Sequence, residues 1–208
     1  VYVRGNRADY DGWADLDNEG WDYDSVLPYF MRSEGNENYD QVDEGYHGKD
    51  GDLHVSSDRL WNSPFAEPFM EACEKVDIPR NPDYNGKSQT GTNYFQCTIK
   101  NGKRFSGADA FLKPILNRPN LKAITKARVT KILFEKNKAV GIEYIRRNKK
   151  HTIRVAKEII LSAGAFQSPQ LLMLSGVGDR DDLKQHNITC SHELNGVGKN
   201  LQDHLFFP

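Results

Sequence analysis

Histidines and serines are the residue types through which this sequence could carry chemistry directly. The six histidines show no spacing that would place two of them on one helix face as metal ligands. His204 stands beside Asp203, but adjacent side chains usually point apart, so we interpret this histidine as structural. Ser175 in "LSGVG" resembles a nucleophile, yet no G-x-S-x-G elbow surrounds it and no base is identifiable nearby. The side chains therefore predict no catalytic group and no metal site.

The cysteine content and the charge exclude further classes. Cys73, Cys97 and Cys190 form no C-x-x-C pair, so neither a zinc site nor a disulfide framework is predicted. Lys and Arg number 28 against 29 Asp and Glu, a balance that argues against a nucleic-acid binder. No apolar run approaches the roughly 20 residues of a transmembrane helix.

A small-residue corner remains as the place where a nucleotide could bind. "EIILSA" (158–163) is apolar throughout, which predicts a strand inside a parallel sheet, and Gly164 supplies the turn after it. Ser168 is the expected N-cap of the next helix, with Pro169 at its first position, and Gly176 is the expected end.

This corner has two readings. Ala163, Gly164 and Ala165 present almost no side chain, so a dinucleotide could lie close to the backbone and to the helix N-terminus. The same pattern fits a strand-helix corner without a ligand, which the local residues slightly favour. No G-x-G-x-x-G fingerprint is present, and "GVGKN" (196–200) contributes only G-x-G.

The elements around the corner predict a mixed α/β (α+β) fold. Residues 128–135, 139–147 and 151–156 alternate as three strands joined by short polar turns, an antiparallel meander. Helices are expected from Asp9, from Asp22 or Asp24, over 62–76 with Ser63 as cap, and over 179–186. The polar stretches 35–52 and 81–93 read as loops.

Large apolar residues supply the expected core in the first half of the chain. Trp13 and Trp21 are interpreted as packing residues, because aromatic side chains bring large buried area. Phe65, Phe69 and Val76 fall on one face of the helix expected over 62–76, together with Ala72.

Four segments, in order, resemble the glucose-methanol-choline (GMC) family of FAD-dependent oxidoreductases. "GAFQSPQLLMLSGVG" (164–178) is similar to the second family signature, and "VGKNLQDH" (197–204) to the segment after it. "VYVRGNRADYDGWA" (1–14) resembles the end of the first signature, and "NEGWDYDSVLPYFMRSE" (18–34) resembles most of all the insect glucose dehydrogenases. The resemblance covers essentially the whole chain.

The resemblance implies an FAD-binding Rossmann-like α/β domain and part of a substrate domain. Residues 1–48 and 119–208 would belong to the FAD domain, with the meander inserted in it, and 49–118 to the substrate domain. The implied FAD-binding residues are Val1 beside the flavin, Val129 at the adenine, and Ala163 with Gly164 near the adenosine. The implied reaction is oxidation of an alcohol or sugar CH–OH group, with hydride passing to the flavin and then to an electron acceptor such as oxygen, a quinone or a dye.

Two family features have no match in these residues. The phosphate fingerprint and the catalytic His lie outside the matched segments, so none of the six histidines is assigned as the catalytic base. We therefore expect an internal fragment of a GMC enzyme that alone binds FAD poorly and catalyses nothing. A noncatalytic binding or structural protein with the same fold stays an alternative, as does an unrelated nucleotide-binding α/β domain. A sequon at Asn187 is compatible with secretion, and the localisation is left open.

Overall fold

The computed structural model describes residues 1–57 and 63–203. Two compact units divide the chain, Val1–Lys122 and Ala123–Pro208. Helices and strands occur in both units, so the mixed α/β class is confirmed. Among the described residues no helix is long and apolar enough to cross a membrane.

Two capped helices begin the first unit. Helix α1 (Arg7–Ala14) starts earlier than expected, because Asn6 is its N-cap: Asn6 Oδ1 accepts from Ala8 N at 2.9 Å and Asp9 Oδ2 accepts from Asn6 N at 3.0 Å. Asp9 therefore closes a capping box rather than starting the helix. Helix α2 (Tyr23–Ser33) begins after Asp22, as expected.

The tryptophans pack on each other at the surface instead of entering a core. Trp13 and Trp21 meet edge to face with ring centroids 5.9 Å apart, and Trp13 meets Tyr10 at 5.3 Å. Their exposed fractions are still 47% and 54%. The expectation that these rings pack is confirmed, but the expectation that they bury large area is wrong within the described residues.

Helix α3 (Ala66–Glu74) is shorter than expected, and its apolar face is not covered. Phe65, not Ser63, occupies the N-cap position, and no side chain caps the helix; Asn62 lies outside the described residues. Phe65 and Phe69 are exposed, and Met70 is the buried residue of the helix. The sequence period identifies a face, but neighbouring elements decide which face is buried.

Short strand pairs complete the first unit. Strand β1 (Glu34–Asn36) pairs in parallel with β2 (Leu53–Val55), so a strand begins the stretch expected to be loop. Strands β3 (Ile99–Lys100) and β4 (Lys103–Arg104) form a hairpin. Single turns of π- and 3-10 helix follow over Ala108–Leu112 and Lys113–Ile115, and another 3-10 turn spans Tyr39–Gln41.

The second unit is built on the expected meander. Strands β5 (Ala127–Glu135), β6 (Lys138–Arg146) and β7 (Lys149–Arg154) form one antiparallel sheet in that order. Arg147 and Asn148, between β6 and β7, both take positive φ, which suits a two-residue turn. The meander is confirmed to within a few residues at each strand end.

The segment after the meander departs from expectation. Residues 158–163 form no strand, and Ile160 is 81% exposed, because none of the described residues pairs with this segment. Helix α4 (Gly164–Leu174) follows, then β8 (Val177–Gly178), α5 (Arg180–Gln185) and β9 (His192–Glu193). Strand β8 pairs in parallel with β9, and Asp179 caps α5.

Candidate functional site

The corner at the start of α4 is open and free of bulky side chains. Gly164 has a φ of +90°, a conformation that favours glycine, and a Cβ built there would meet nothing within 4 Å. Ala163 is exposed and occupies the N-cap position. The geometry therefore leaves room for a ligand against the backbone, as the first reading of the corner requires.

Ser168 acts differently from the expected cap. Ser168 and Pro169 lie inside α4, and Ser168 Oγ accepts a hydrogen bond from Ala163 N at 3.0 Å. The expectation that the helix begins at Pro169 is wrong, because the chain turns into the helix as early as Gly164. The serine instead restrains the backbone of the corner. A cleft of about 420 Å³ lies beside this helix, between Phe166 and the glycine turn 196–199.

Val129 lies on β5, in the same unit as the corner. It pairs with Tyr144 on β6, and the register shifts between Val129 and Lys131, which marks a β-bulge. Its side chain is 37% exposed. The backbone at this point is therefore irregular and partly accessible.

Ser175, the serine in the "LSGVG" part of the family signature, has a structural role rather than a nucleophilic one. Its side chain is 3% exposed; Oγ donates to Leu171 O at 2.6 Å and accepts from Ile132 N at 2.8 Å. This hydroxyl joins the end of α4 to Ile132 of strand β5. Gly176 follows at φ +90° and ends the helix as expected.

Val1 lies in the other unit, at the start of a segment held by hydrogen bonds from both backbone and side chains. Val1 itself is 70% exposed, while Tyr2 N donates to Gln96 O at 2.7 Å. Asn85 spans two points of the segment: its Oδ1 accepts from Arg4 N at 2.9 Å and its Nδ2 donates to Tyr2 O at 3.0 Å. The loop around Asn85 therefore fixes the path of residues 1–4.

A buried cluster of four charged side chains anchors the same segment. Arg4, Glu34, His47 and Asp83 are each at most 5% exposed. Arg4 pairs with Glu34 Oε2, and Glu34 Oε1 lies 2.8 Å from His47 Nδ1. His47 Nε2 lies 2.9 Å from Asp83 Oδ2. Two cations and two anions alternate, so the cluster as a whole is electrically neutral.

The hydrogen bonds assign the protonation state of His47. Both of its ring nitrogens face carboxylates, which accept hydrogen bonds when ionised, so both nitrogens must carry hydrogen. Burial by itself lowers the pKa of His47, but the hydrogen bonds to Asp83 and Glu34 outweigh it and raise the pKa to about 9. Burial likewise raises the pKa of Asp83, while the His47 hydrogen bond and backbone donors bring it below its ordinary value. His47 is therefore a cation at neutral pH.

The remaining oxygens of the cluster are also satisfied. Asn36 Nδ2 donates to Glu34 Oε1 at 2.8 Å, and Asp43 N donates to Asp83 Oδ2 at 2.9 Å. Gln96 Nε2 donates to Asp83 Oδ1 at 3.2 Å. A closed network of this kind holds backbone in place rather than reacting with a ligand. No group of three His, Cys, Asp or Glu side chains forms a metal site among the described residues.

Sequence reasoning missed this cluster entirely. His47 and Asp83 stand in stretches that read as polar loops, and Arg4 stands in a strand-like segment. The one hint in the sequence was the glycine at position 48, since a glycine allows backbone to approach backbone closely. In the structure a Cβ on Gly48 would lie 1.7 Å from Met31 O, so loop 35–52 passes directly against α2. Closely packed loops bury their polar side chains, but only the structure shows which ones meet.

Comparisons with known proteins agree with the resemblance. The family model for GMC oxidoreductases matches residues 1–206. The mitochondrial choline dehydrogenase of Mus musculus is 45% identical over 205 residues, covering 99% of this chain and 34% of that protein. An alcohol dehydrogenase [acceptor] of Pseudomonas putida is 44% identical over 207 residues, covering 99% of this chain and 37% of that protein.

A solved structure shows that the fold is similar as well. An FAD-dependent oxidoreductase from Chaetomium thermophilum superposes with a TM-score of 0.88 at 32% identity, covering 98% of this chain and 37% of that one. The fold and the family match together place this chain in the class of FAD-dependent oxidoreductase folds. It belongs to the GMC oxidoreductase family. The chain spans about a third of the length of the relatives it matches.

Proposed function

We propose that this chain is part of an FAD-dependent oxidoreductase that oxidises the CH–OH group of an alcohol or a sugar. The observation that carries the proposal is similarity over the whole chain, at 44–45% identity, to enzymes named choline dehydrogenase and alcohol dehydrogenase. FAD, when bound, supplies the acceptor for the hydride that leaves the alcohol carbon. The substrate would be a small alcohol or sugar, and the electron acceptor oxygen, a quinone or a dye.

Three residues of the second unit would hold the adenosine end of FAD. Ala163 and Gly164 fit this role because their backbone is open and no Cβ stands at Gly164. Val129 would contact the adenine through its backbone. Val1 of the other unit would lie along the flavin. The buried cluster of Arg4, Glu34, His47 and Asp83 would hold residues 1–4 in the position that this contact requires.

The finer subdivision is also proposed. Residues 1–48 and 119–208 would form parts of the FAD domain and 49–118 part of the substrate domain. The resemblance of residues 18–34 supports an enzyme of the insect glucose dehydrogenase type. The choline dehydrogenase and the alcohol dehydrogenase that resemble this chain support choline or another alcohol as the substrate instead, so a substrate screen must contain both classes.

The test of FAD binding uses two glycines that share a backbone conformation. Gly164→Val is expected to lower the flavin content of the purified full-length protein at least ten-fold, because the new side chain would occupy the ligand's space and strain the corner. Gly20→Val is the matched control, since Gly20 has a φ of +81° and equally open surroundings. Equal flavin contents in the two variants would contradict the assigned role of Gly164.

Two further measurements test the activity itself. The isolated 208-residue chain is expected to bind FAD poorly and to oxidise nothing; a stoichiometric flavin absorbance would overturn that expectation. The full-length protein is then screened with alcohols, choline and sugars, using a dye acceptor with and without air. Bound flavin with no oxidation of any of them would favour a noncatalytic binding protein.

A further inference from the structure

The meander carries a large local excess of positive charge that the overall balance conceals. Residues 123–157 contain eleven Lys and Arg side chains and two Glu, a net charge of +9, whereas the whole chain has a net charge of −1. The remainder of the chain is therefore acidic. Seven of these eleven cationic side chains stand on the three strands of one sheet, and the other four stand in the turns and segments beside the strands.

Strand register sorts the side chains of this sheet onto two faces. Ile132 pairs with Ile142, which pairs with Ile153, and this row belongs to the face on which Ile132 is buried. Lys131 pairs with Glu143, which pairs with Thr152, and this row belongs to the opposite face.

The opposite face, which we call the basic face, carries four cationic side chains. Arg128 and Lys150 flank Ile145, and Arg154 pairs with Gly141; both β6 positions share the face of Glu143. Arg128, Lys131, Lys150 and Arg154 are all exposed.

Carboxylates neutralise only part of this charge. Glu143 pairs with Lys150, and Glu135 pairs with Arg154. Arg128 and Lys131 make no ion pair within the described residues. Like charges on neighbouring strands cost stability, so a sheet that only had to be solvated would gain from more acidic partners.

The shape and composition of the basic face indicate its partner. Three strands of nine, nine and six residues form a broad surface, roughly 10 Å by 30 Å. The β6 residues paired with the four cations are Ile145, Glu143 and Gly141, none of them aromatic, so the rows that carry the charge offer no stacking platform for the bases of single-stranded nucleic acid. Exposed Lys and Arg side chains on a broad surface suit a diffuse layer of negative charge such as that of anionic phospholipid headgroups.

We propose that the basic face of the meander docks the protein on the surface of an anionic lipid bilayer. This contact is peripheral and needs no membrane-spanning helix. It is independent of the proposed oxidation, but it would place the enzyme beside a quinone dissolved in the membrane. Each cationic side chain near such a surface is worth about a five-fold gain in binding.

The experiment measures co-sedimentation of the full-length protein, called the parent chain in this experiment, with vesicles. The parent chain is expected to bind vesicles with about 30 mol% phosphatidylserine in phosphatidylcholine, not vesicles of phosphatidylcholine alone, and to be released as salt rises from about 0.1 M to 0.5 M. The double variant Arg128→Gln, Lys131→Gln should bind about 25-fold more weakly. The control Lys75→Gln, Lys87→Gln changes the net charge equally in the first unit and should bind like the parent.

Several outcomes would overturn the proposal. These are equal binding by both double variants, binding to neutral vesicles, failure of the parent to bind anionic vesicles at low salt, or tighter binding to nucleic acid than to vesicles. Near-UV circular dichroism checks that the variants are folded. If a variant does not fold, the dependence of parent-chain binding on salt and on anionic lipid still tests the proposal. None of these results depends on flavin, so the proposed oxidation can fail or succeed separately.

Discussion

Replacing His47 by Gln should destabilise the first unit strongly and remove one pH dependence of its stability. The imidazolium ring lies between Glu34 and Asp83 and is 1% exposed. Without its charge, Arg4 still pairs with Glu34, but the buried carboxylate of Asp83 loses its cationic partner. Removing one partner of a buried ion pair costs about 3–5 kcal/mol.

The raised pKa of His47 gives the part of this stabilisation that depends on pH. Its pKa is about 9 in the folded chain against 6.5 in the unfolded one, a difference worth about 3 kcal/mol. Because the folded pKa is raised, this stabilisation is fully present below pH 6.5 and is lost as pH rises through 9. Most of this stabilisation, about 2–3 kcal/mol, should remain at pH 7. On the acid side, the lowered pKa of Asp83 makes its contribution fall as pH drops below about 4.

Urea unfolding followed by tryptophan fluorescence measures this effect. All three tryptophans stand at positions up to 61, so the signal reports the first unit. The parent chain should lose about 3 kcal/mol more than His47→Gln between pH 6.5 and 9.5. His54→Gln is the control, since His54 is half-buried, lies 3.2 Å from the partly exposed Glu37 and meets the Phe105 ring edge to face. Parallel pH profiles for the parent and His47→Gln would refute a charged His47.

The second unit offers two further predictions. Ser175→Ala should cost about 1–3 kcal/mol by leaving the buried amide of Ile132 without an acceptor, and amide hydrogen exchange at Ile132 should accelerate while Ser162→Ala leaves it unchanged. Unchanged protection in Ser175→Ala would show that the hydroxyl does not join the helix to the sheet. Gly176→Ala should cost more than about 1 kcal/mol, because φ is +90° and the new Cβ would lie 2.7 Å from Thr189 O. Thermal unfolding followed by circular dichroism measures this loss, and an unchanged Tm would contradict it.

Elements that depend on neighbours in the sequence were predictable. The meander follows from alternation and short polar turns, and its strands lie within a few residues of the predicted bounds. The caps of α2 and α5 and the glycine after α4 follow equally from local chemistry, because each cap is closed within two or three residues.

Elements that depend on distant partners were not predictable. Residues 158–163 have the composition of a buried strand, but a strand exists only through the strand beside it, and no described residue supplies one. Phe65 at the N-cap of α3 and Phe69 within the helix form an apolar stripe that nothing in the described residues covers. The composition of a segment shows that its side chains are apolar enough to be buried, but it does not show whether another element packs on them.

The sequence by itself determined the family, the meander and the small-residue corner, since each is written in consecutive residue types. Only the tertiary structure decided that Arg4, Glu34, His47 and Asp83 share one buried cluster, because loops from three parts of the chain must meet before their charges can pair. The same is true of the basic face: strand register separates its charges from the apolar residues between them. Contacts between residues far apart in the sequence exist only in the folded chain, so no short stretch of sequence predicts them.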